Sequence, residues 1–569
     1  MKWILALVAL ALAVGANAQA TQDADPVVQA MRDEFRRSMS DLQLEGSPQP
    51  YFIAYTVRDN SQLLESFYLG TSVRADRTSS RTVRVEVRVG SYELDNRNYR
   101  PRVNRSATIT QALPISDDYE EIRRAIWRAT DAAYKNAAQN YAAKLTALEG
   151  RRSDDPAPDF TIEEPFQYVR AEQPTTDDID LDAVREPARE LSSAFSSSPD
   201  IFTSVVAASA AKRRRIYLNS EGSFHDYVEQ QCRIRTLAFT QMLDGTEIQD
   251  YANEYAIDCA SLPPLAEMQT GVRSLISRLT SLRSAEPFGD VYNGPILYEG
   301  QAAAQILRRL LLPRLMAVRV PMTDDARSDS QRFRNPFLDK IGTRVVSAKI
   351  DVINDPTLTE FNGQPLLGHY FVDRQGIPAR RTLLVEEGRL KTLLTTRSPV
   401  DEFDKSTGSS RTGGSAMPGN VLILPKEGEG WTDEEIRVEM NSLLDDYGLD
   451  YGIVVRRLAN RAELAFGNRT SVLLEAYKVF ADGREVLVPA MEITGYSDRT
   501  LRDIVAVSQE IQQYDTVYGS GSGAWVTPIS IIAPSSLLIE ELTARKMRPV
   551  SPKPPVVPHP SVDSTAVSN

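Results

Sequence analysis

The sequence predicts an α+β protein in which an N-terminal mixed α/β domain precedes a C-terminal domain rich in antiparallel sheet. Three observations predict this class. Long strand patterns and amphipathic helical patterns share the first half of the chain. Short strand patterns joined by tight turns fill much of the second half. The length of 569 residues exceeds what a single hydrophobic core supports, so more than one domain is expected.

The first eighteen residues have the pattern of a secretory signal peptide. Lys2 supplies a positive charge, residues 3–15 are almost wholly apolar, and Ala16-Asn17-Ala18 supplies small residues for cleavage. The apolar stretch is shorter than the roughly 20 residues that span a bilayer. We therefore expect cleavage near Ala18 and a periplasmic or secreted protein without a membrane anchor.

Composition changes divide the rest of the chain. We expect an N-terminal α+β domain over residues 19–285, with an acidic, proline-rich insertion at about 151–190. A C-terminal domain follows over residues 286–548. Residues 549–569 are rich in proline and serine, and we expect them to form a disordered tail.

The helices and strands follow from local patterns, taken in chain order. Asp25 and Pro26 are typical of a helix N-cap and first helical position, and a second helix is predicted from near Ser116 to near Gly150. A third helical pattern covers residues 265–282, before the hairpin-rich half. The first helix is indicated by apolar residues at four-residue spacing: Val27, Met31, Phe35 and Met39. A half-buried strand is indicated by alternating valines at 83, 85, 87 and 89. Two hairpin turns are indicated by Glu387-Gly388 and Asp482-Gly483.

The formal charge of −12 argues against nucleic acid or anionic lipid as the main partner. Residues 212–215, Lys-Arg-Arg-Arg, are the one dense basic run. They lead directly into an apolar strand pattern. We therefore interpret them as the solvent-exposed beginning of a strand.

The chain contains two cysteines, Cys232 and Cys259, and an exported compartment permits them to pair. Asp244-Gly245 is a two-residue hairpin signal, and ideal pairing around it places Cys232 opposite Ile257, two residues from Cys259. A disulfide is one prediction. Two separate buried thiols are the alternative.

Three segments resemble the TldD/PmbA metallopeptidase family in their order and spacing. They are residues 218–222 (Leu-Asn-Ser-Glu-Gly), residues 294–307, and residues 355–358 leading to 373–379. The resemblance covers about residues 216–546. It implies the family's fold, with an antiparallel-sheet-rich C-terminal domain of TldD/PmbA type.

The zinc motif of the family is missing from this chain. Active members carry His-Glu-x-x-x-His on the helix after the Gly294 strand, and alignment on Gly300 and Leu307 places these positions at Arg308, Arg309 and Pro313. The family's cysteine ligand matches Tyr518. Arginine has no lone pair to offer a metal, and proline has no ligating group. The resemblance therefore implies no zinc cofactor, no metal ligands and no catalytic residues at these positions.

Two expectations follow for what replaces the zinc site. Residues 301–312 should form a helix. At least one of Arg308 and Arg309 should face the former cleft and find a carboxylate there, because an unpaired buried guanidinium is costly. The result would be a salt-bridged plug, or a clamp for a peptide carboxylate.

A glycine-rich loop at residues 406–414 matches a loop that lies near the active cleft in the family. Arg411, Gly413 and Gly414 are candidates for binding a peptide carboxylate or backbone. An ordinary flexible loop is the alternative interpretation.

The resemblance implies a non-catalytic protein of the cell envelope that binds peptides or serves as an assembly subunit. Family members pair an active subunit with one that lacks the zinc motif. The expected partners are therefore a second copy, or an active TldD-like homologue in a heterodimer, and extended peptides. Alternative hypotheses are an active zinc metallopeptidase with non-standard ligands and a purely structural role.

Overall fold

The computed structural model describes residues 25–101, 106–149, 157–170, 182–243, 245–285, 288–289, 291–323, 335–400, 403–412, 415–458, 473–489, 491–518 and 526–546. The predicted signal peptide, the C-terminal tail and parts of the proline-rich insertion lie outside these residues. Among the described helices, none combines the length and hydrophobicity that crossing a lipid bilayer requires.

The first half of the chain builds a seven-stranded, mostly antiparallel sheet, which we call the N-terminal sheet. Its strand order is β4-β2-β1-β6-β7-β5, and β8 also pairs with β7. The first two strands are nineteen residues each and turn at Leu69-Gly70, where both residues have positive φ. The strands are β1 (Pro50–Tyr68), β2 (Thr71–Val89), β3 (Tyr99–Arg100, outside this sheet), β4 (Thr108–Leu113), β5 (Gln167–Val169), β6 (Thr203–Asn219), β7 (Phe224–Gln241) and β8 (Glu247–Ala256).

Four helices cover one face of the N-terminal sheet. They are α1 (Pro26–Asp41), α2 (Tyr119–Glu149), α3 (Asp182–Ser193) and α4 (Leu265–Arg283). The Asp25 side chain caps α1 by accepting the N–H groups of Val27 and Val28, as its sequence predicts. The valines at 83, 85, 87 and 89 of β2 pack in the core beneath α1 and α2. In the middle of the sheet the opposite face lies against the second half of the chain, where the Tyr217 hydroxyl donates to the Gln375 carbonyl. Residues 71–80 of β2, at the far end of the β1–β2 hairpin, are mostly exposed.

The packing on both faces of β6 makes the solvated interpretation of residues 212–215 wrong. Arg215, on the polar face, is 3 % exposed, and Lys212, on the helix-covered face with Ala210 and Ile216, is 4 % exposed. Strand β6 lies between β1 and β7 in the middle of the sheet. The alternation of polar and apolar residues along a strand is the same whether water or another domain covers the polar face. Here another domain covers the polar face of β6.

The second half contains two larger sheets, with strand orders β15-β14-β11-β18-β25-β24 and β21-β20-β19-β9-β26-β22; β23 also pairs with β26. Most pairings are antiparallel, as predicted, while β18–β25 and β9–β19 are parallel. The strands are β9 (Tyr292–Glu299), β10 (Met322–Thr323), β11 (Ile350–Asn354), β12 (Glu360–Phe361), β13 (Gln364–Pro365), β14 (Thr382–Glu386), β15 (Arg389–Leu390), β16 (Ser410–Thr412), β17 (Ser415–Ala416), β18 (Asn420–Pro425), β19 (Tyr451–Leu458), β20 (Leu473–Phe480), β21 (Glu485–Val488), β22 (Met491–Thr494), β23 (Ile504–Val507), β24 (Ile511–Tyr518), β25 (Thr527–Pro534) and β26 (Ser536–Lys546).

Among the described residues of this half, the α-helices are α5 (Gln301–Leu310) and α6 (Asp433–Tyr447). Helix α5 lies in the main core, where Ala302, Ala303, Ile306 and Leu307 are buried. The α+β class and the two sheet-rich halves predicted from the sequence are confirmed. Helix α5 ends at Leu310 rather than at residue 312, because Pro313 enters a separate 3-10 helix over Leu312–Leu315.

Cys232 and Cys259 are joined by a disulfide with a Cα–Cα distance of 5.0 Å, which agrees with the expected pairing. The expected register is wrong by one residue, since Cys232 lies opposite Ala256 rather than Ile257. The connection between β7 and β8 spans residues 242–246, and the Met242 N–H donates to the Thr246 carbonyl. This longer loop replaces the two-residue turn and shifts the pairing; Asp244 itself lies outside the described residues.

Removing the disulfide should destabilise the first half of the chain. The double substitution Cys232→Ser and Cys259→Ser is expected to lower the free energy of unfolding by about 3 kcal/mol, because the crosslink restricts the unfolded chain. Urea denaturation measures the loss. A reductant should lower the stability of the native protein by a similar amount and leave the double variant unchanged. Two alkylatable thiols in the unreduced protein would contradict the pairing.

Candidate functional site

Two of the positions that align with the family's zinc ligands, Arg308 and Tyr518, come together in space. Arg308 lies in the last turn of α5, and Tyr518 ends β24. The Arg308 Nη2 donates a hydrogen bond of 2.9 Å to the Val517 carbonyl, and its guanidinium carbon lies 5.8 Å from the centre of the Tyr518 ring. The fold therefore juxtaposes two positions that are 210 residues apart in sequence.

The other two aligned positions diverge from this contact. The Arg309 guanidinium carbon lies 5.0 Å from the centre of the Tyr496 ring. Pro313 lies in the 3-10 helix, after the end of α5. Arg308 and Arg309 are both partly buried, so neither stands free on the outer surface. The carboxylate partner expected for one of them stays a prediction, since the contacts described above are with a carbonyl and with aromatic rings.

These side chains do not fit a zinc ion. Zinc sites use thiolate, imidazole and carboxylate ligands, whereas a guanidinium offers hydrogen-bond donors and a positive charge. The Arg308 hydrogen bond to Val517 also holds that charge where the aligned ligands would meet. In the described part of the chain, no group of three or more His, Cys, Asp or Glu side chains is arranged to hold a metal.

A cleft of about 1090 Å³ lies beside these positions, between the N-terminal sheet and the second half of the chain. Thr527, the strand partner of Tyr518, lies on its wall. Aromatic and polar side chains share the lining, which is typical of a site that binds an organic ligand. The aromatic residues are Tyr168, Tyr227, Tyr255, His369, Tyr370 and Phe371.

Arg411, the candidate from the glycine-rich loop, lines this cleft. Its Nη1 donates to the Pro418 carbonyl at 2.6 Å, and its guanidinium carbon lies 4.9 Å from the centre of the Tyr370 ring. Burial lowers its pKa, although Tyr370, Glu229 and Tyr227 act in the opposite direction. Gly413 and Gly414 lie outside the described residues.

Asp373 organises the turn that borders the cleft. Its carboxylate accepts the N–H groups of Gln375 at 2.8 Å, Ile377 at 3.0 Å and Ser410 at 3.0 Å. Burial raises its pKa to about 6, against the lowering effect of these donors. Gly376 in the same turn has φ +91°, and a Cβ there would lie 2.8 Å from the Tyr217 ring. The turn therefore requires glycine at this position and carries Arg374 against the N-terminal sheet.

A buried salt bridge between the two halves was not predicted from the sequence. Arg397 is fully buried, and its two terminal nitrogens each approach a Glu221 carboxylate oxygen at 2.6 Å. The guanidinium also lies 3.9 Å from the centre of the Phe160 ring. Glu221 belongs to the 218–222 motif, in which the Asn219 side chain accepts the Glu221 N–H. That motif was a signal for family resemblance, but nothing in it indicated the distant arginine.

Comparison with known proteins finds a family model that matches the second half of the chain. Residues 294–546 match the family model of the PmbA/TldA metallopeptidase C-terminal domain. A metalloprotease of Methanocaldococcus jannaschii is 33 % identical over 105 residues, which is 18 % of this chain. That alignment spans about a fifth of the relative's own length, 22 %.

Solved structures extend the likeness to the whole fold. A Thermotoga maritima protein described as a modulator of a DNA gyrase has a TM-score of 0.56 at 16 % identity, covering 87 % of this chain and 96 % of that one. TldE from Thermococcus kodakarensis has a TM-score of 0.55 at 17 % identity, covering 91 % of this chain and 100 % of that one. Residues 294–546 therefore belong to the PmbA/TldA metallopeptidase C-terminal domain family, and the fold of the whole chain is similar to those of the two solved structures.

Proposed function

We propose that this chain is a non-catalytic TldD/PmbA protein of the cell envelope that binds extended peptides or acts as an assembly subunit. One observation carries the proposal. The position that aligns with the first zinc ligand is Arg308, and its guanidinium is hydrogen-bonded to Val517 beside Tyr518, where the cysteine ligand belongs. A positive charge in this place opposes the binding of a dication.

The interdomain cleft supports peptide binding. An extended peptide presents backbone donors and acceptors together with side chains, and the cleft offers aromatic surfaces and buried arginines. Arg411 points one of its nitrogens at the Pro418 carbonyl, which leaves other donors of its guanidinium for a ligand.

We further propose that the chain works with a partner, either a second copy or a TldD-like chain with an intact zinc motif. The likeness to TldE, a protein with a similar fold, supports this part of the proposal. The signal-peptide pattern of residues 1–18 supports an envelope location.

Elemental analysis and a peptidase assay test the catalytic part. We expect far less than about one zinc per chain, and no chelator-sensitive cleavage of unstructured peptides. The triple substitution Arg308→His, Arg309→Glu and Pro313→His should also fail to bind zinc or cleave, because Tyr518 still replaces the cysteine. Stoichiometric zinc with chelator-sensitive cleavage by the native protein would instead establish the active-peptidase alternative.

A further inference from the structure

Four arginines meet where the polar face of the N-terminal sheet contacts the second half of the chain, and we call them the arginine cluster: Arg58, Arg84, Arg215 and Arg374. Arg58 on β1 lies directly opposite Arg215 on β6. Arg84 on β2 lies opposite Thr56, two residues from Arg58 and on the same face. Arg374 approaches from the Asp373 turn.

A second interdomain cavity, of about 500 Å³, is lined by two members of this cluster, Arg84 and Arg374, and we call it the arginine cavity. Its described lining contains six arginines, including Arg84 and Arg374, and one carboxylate, Glu86. Arg374 and Ser410 line both this cavity and the larger cleft, so the two spaces adjoin. The concentration of positive charge contrasts with the chain's formal charge of −12.

Some arginines of the cavity have carboxylate partners and others do not. Arg88 lies 2.8 Å from Asp95 and 3.0 Å from Glu86, and Arg319 lies 3.4 Å from Asp159. Among the described residues, Arg84 and Arg374 in the cavity lining have no salt-bridge partner, and neither has Arg58 of the arginine cluster.

Arg215 is buried with incomplete hydrogen bonding. Its Nη2 lies 3.3 Å from Glu229, but its Nε and Nη1 have no acceptor among the described protein residues. The side chain is only 3 % exposed, so these donors are removed from bulk water. Unpaired buried N–H groups on a cation are costly, and an anionic acceptor would offset that cost.

The charges of the cluster act on one another. Burial and then the charge of Arg215 lower the pKa of Arg374 to about 9; Glu229 acts in the opposite direction, and Arg58 and Arg411 lower it further. Burial and then Arg215, Arg213 and Arg84 lower the pKa of Arg58 to about 9. Both groups therefore remain charged at neutral pH while repelling their neighbours.

We infer that the arginine cavity binds the carboxylates of an acidic peptide. Guanidinium groups match carboxylate oxygens in a two-pronged geometry, and the adjoining cleft offers space and aromatic surface for the rest of an extended peptide. This inference rests on the proposed peptide-binding function and names the class of peptide ligand. Acidic side chains would occupy the arginine cavity, while neighbouring residues would lie past Arg374 in the cleft.

Calorimetric titration of the full chain with triglutamate and triglutamine tests the inference. Triglutamate should bind at least about 10-fold more tightly, with an affinity that falls as salt rises. The substitution Arg374→Gln should weaken triglutamate binding by about 10-fold or more and leave triglutamine binding unchanged. The matched control is Arg545→Gln, which removes an exposed arginine paired with Glu492 and should change neither affinity.

Thermal unfolding of the same variants separates binding from a structural role. Arg374→Gln should unfold at the native temperature or higher, because it removes repulsion within the cluster. Equal affinity for the two peptides, or undiminished triglutamate binding by Arg374→Gln, would overturn the inference while leaving peptide binding intact. If neither peptide binds, the proposed peptide-binding function fails as well. Saturable binding of inorganic phosphate without triglutamate binding would show an anion site of another class and would also overturn the inference.

Discussion

Replacement of Arg397 by methionine is expected to lower the stability of the assembled chain by about 3–5 kcal/mol. The substitution leaves the Glu221 carboxylate, 12 % exposed, without the two 2.6 Å contacts that offset its burial. Urea denaturation followed by circular dichroism measures the change. Because the salt bridge joins the two halves, we expect the separation of the halves to precede their unfolding in the variant.

A substitution in an exposed salt bridge serves as the control for this test, and a double variant separates the loss of the salt bridge from the burial of an unpaired charge. Arg545→Met breaks an exposed pair with Glu492 and should cost less than about 1 kcal/mol. The double variant Arg397→Met with Glu221→Leu should recover part of the lost stability, because no unpaired charge remains buried. A loss for Arg397→Met as small as that for Arg545→Met would show that the buried salt bridge does not hold the halves together.

Replacement of Asp373 by alanine should cost about 4 kcal/mol, because three buried backbone N–H groups lose a charged acceptor. Asparagine should cost less. Its oxygen can still accept the N–H groups of Gln375 and Ile377, whereas its amide nitrogen cannot accept the N–H of Ser410. Urea denaturation of the two variants gives their free energies of unfolding. The loss in Asp373→Asn measures the part of the Asp373→Ala loss that is due to the Ser410 contact.

The pH dependence of Asp373 has a definite sign. Burial raises its pKa to about 6 from an ordinary value near 4, so the folded state holds the proton more tightly. The contribution of this group to stability is therefore fully present below about pH 4 and is lost as pH rises through about 6. The native protein should gain stability relative to Asp373→Asn over that interval as the pH falls. A difference that is constant with pH would show that the carboxyl group does not titrate there.

The secondary structure was largely predictable because its signals are local. The Asp25 cap, the alternating valines of β2 and the Glu387-Gly388 hairpin each depend on residues within a few positions of one another. The predicted strand register was wrong where a rule for two-residue hairpin turns was applied to a longer loop. The β7–β8 loop took five residues rather than two, and this moved the partner of Cys232 by one position.

The candidate site was predictable only in part. The loss of the zinc ligands is visible in the sequence, since Arg308, Arg309, Pro313 and Tyr518 cannot supply the required lone pairs. The contact of Arg308 with Val517 and Tyr518 was not visible, because α5 and β24 are distant in the chain. The same holds for Arg397 and Glu221, which are 176 residues apart.

The sequence by itself determined the α+β class, the helix and strand patterns and the absence of the family's zinc ligands, because periodicity and side-chain chemistry are properties of the local chain. Only the tertiary structure decided which charges are buried. A strand with one apolar and one polar face has the same alternation whether water or a second domain covers the polar face. In this protein the second half of the chain covers it, and that burial brings Arg215 on β6 together with Arg58 and Arg374.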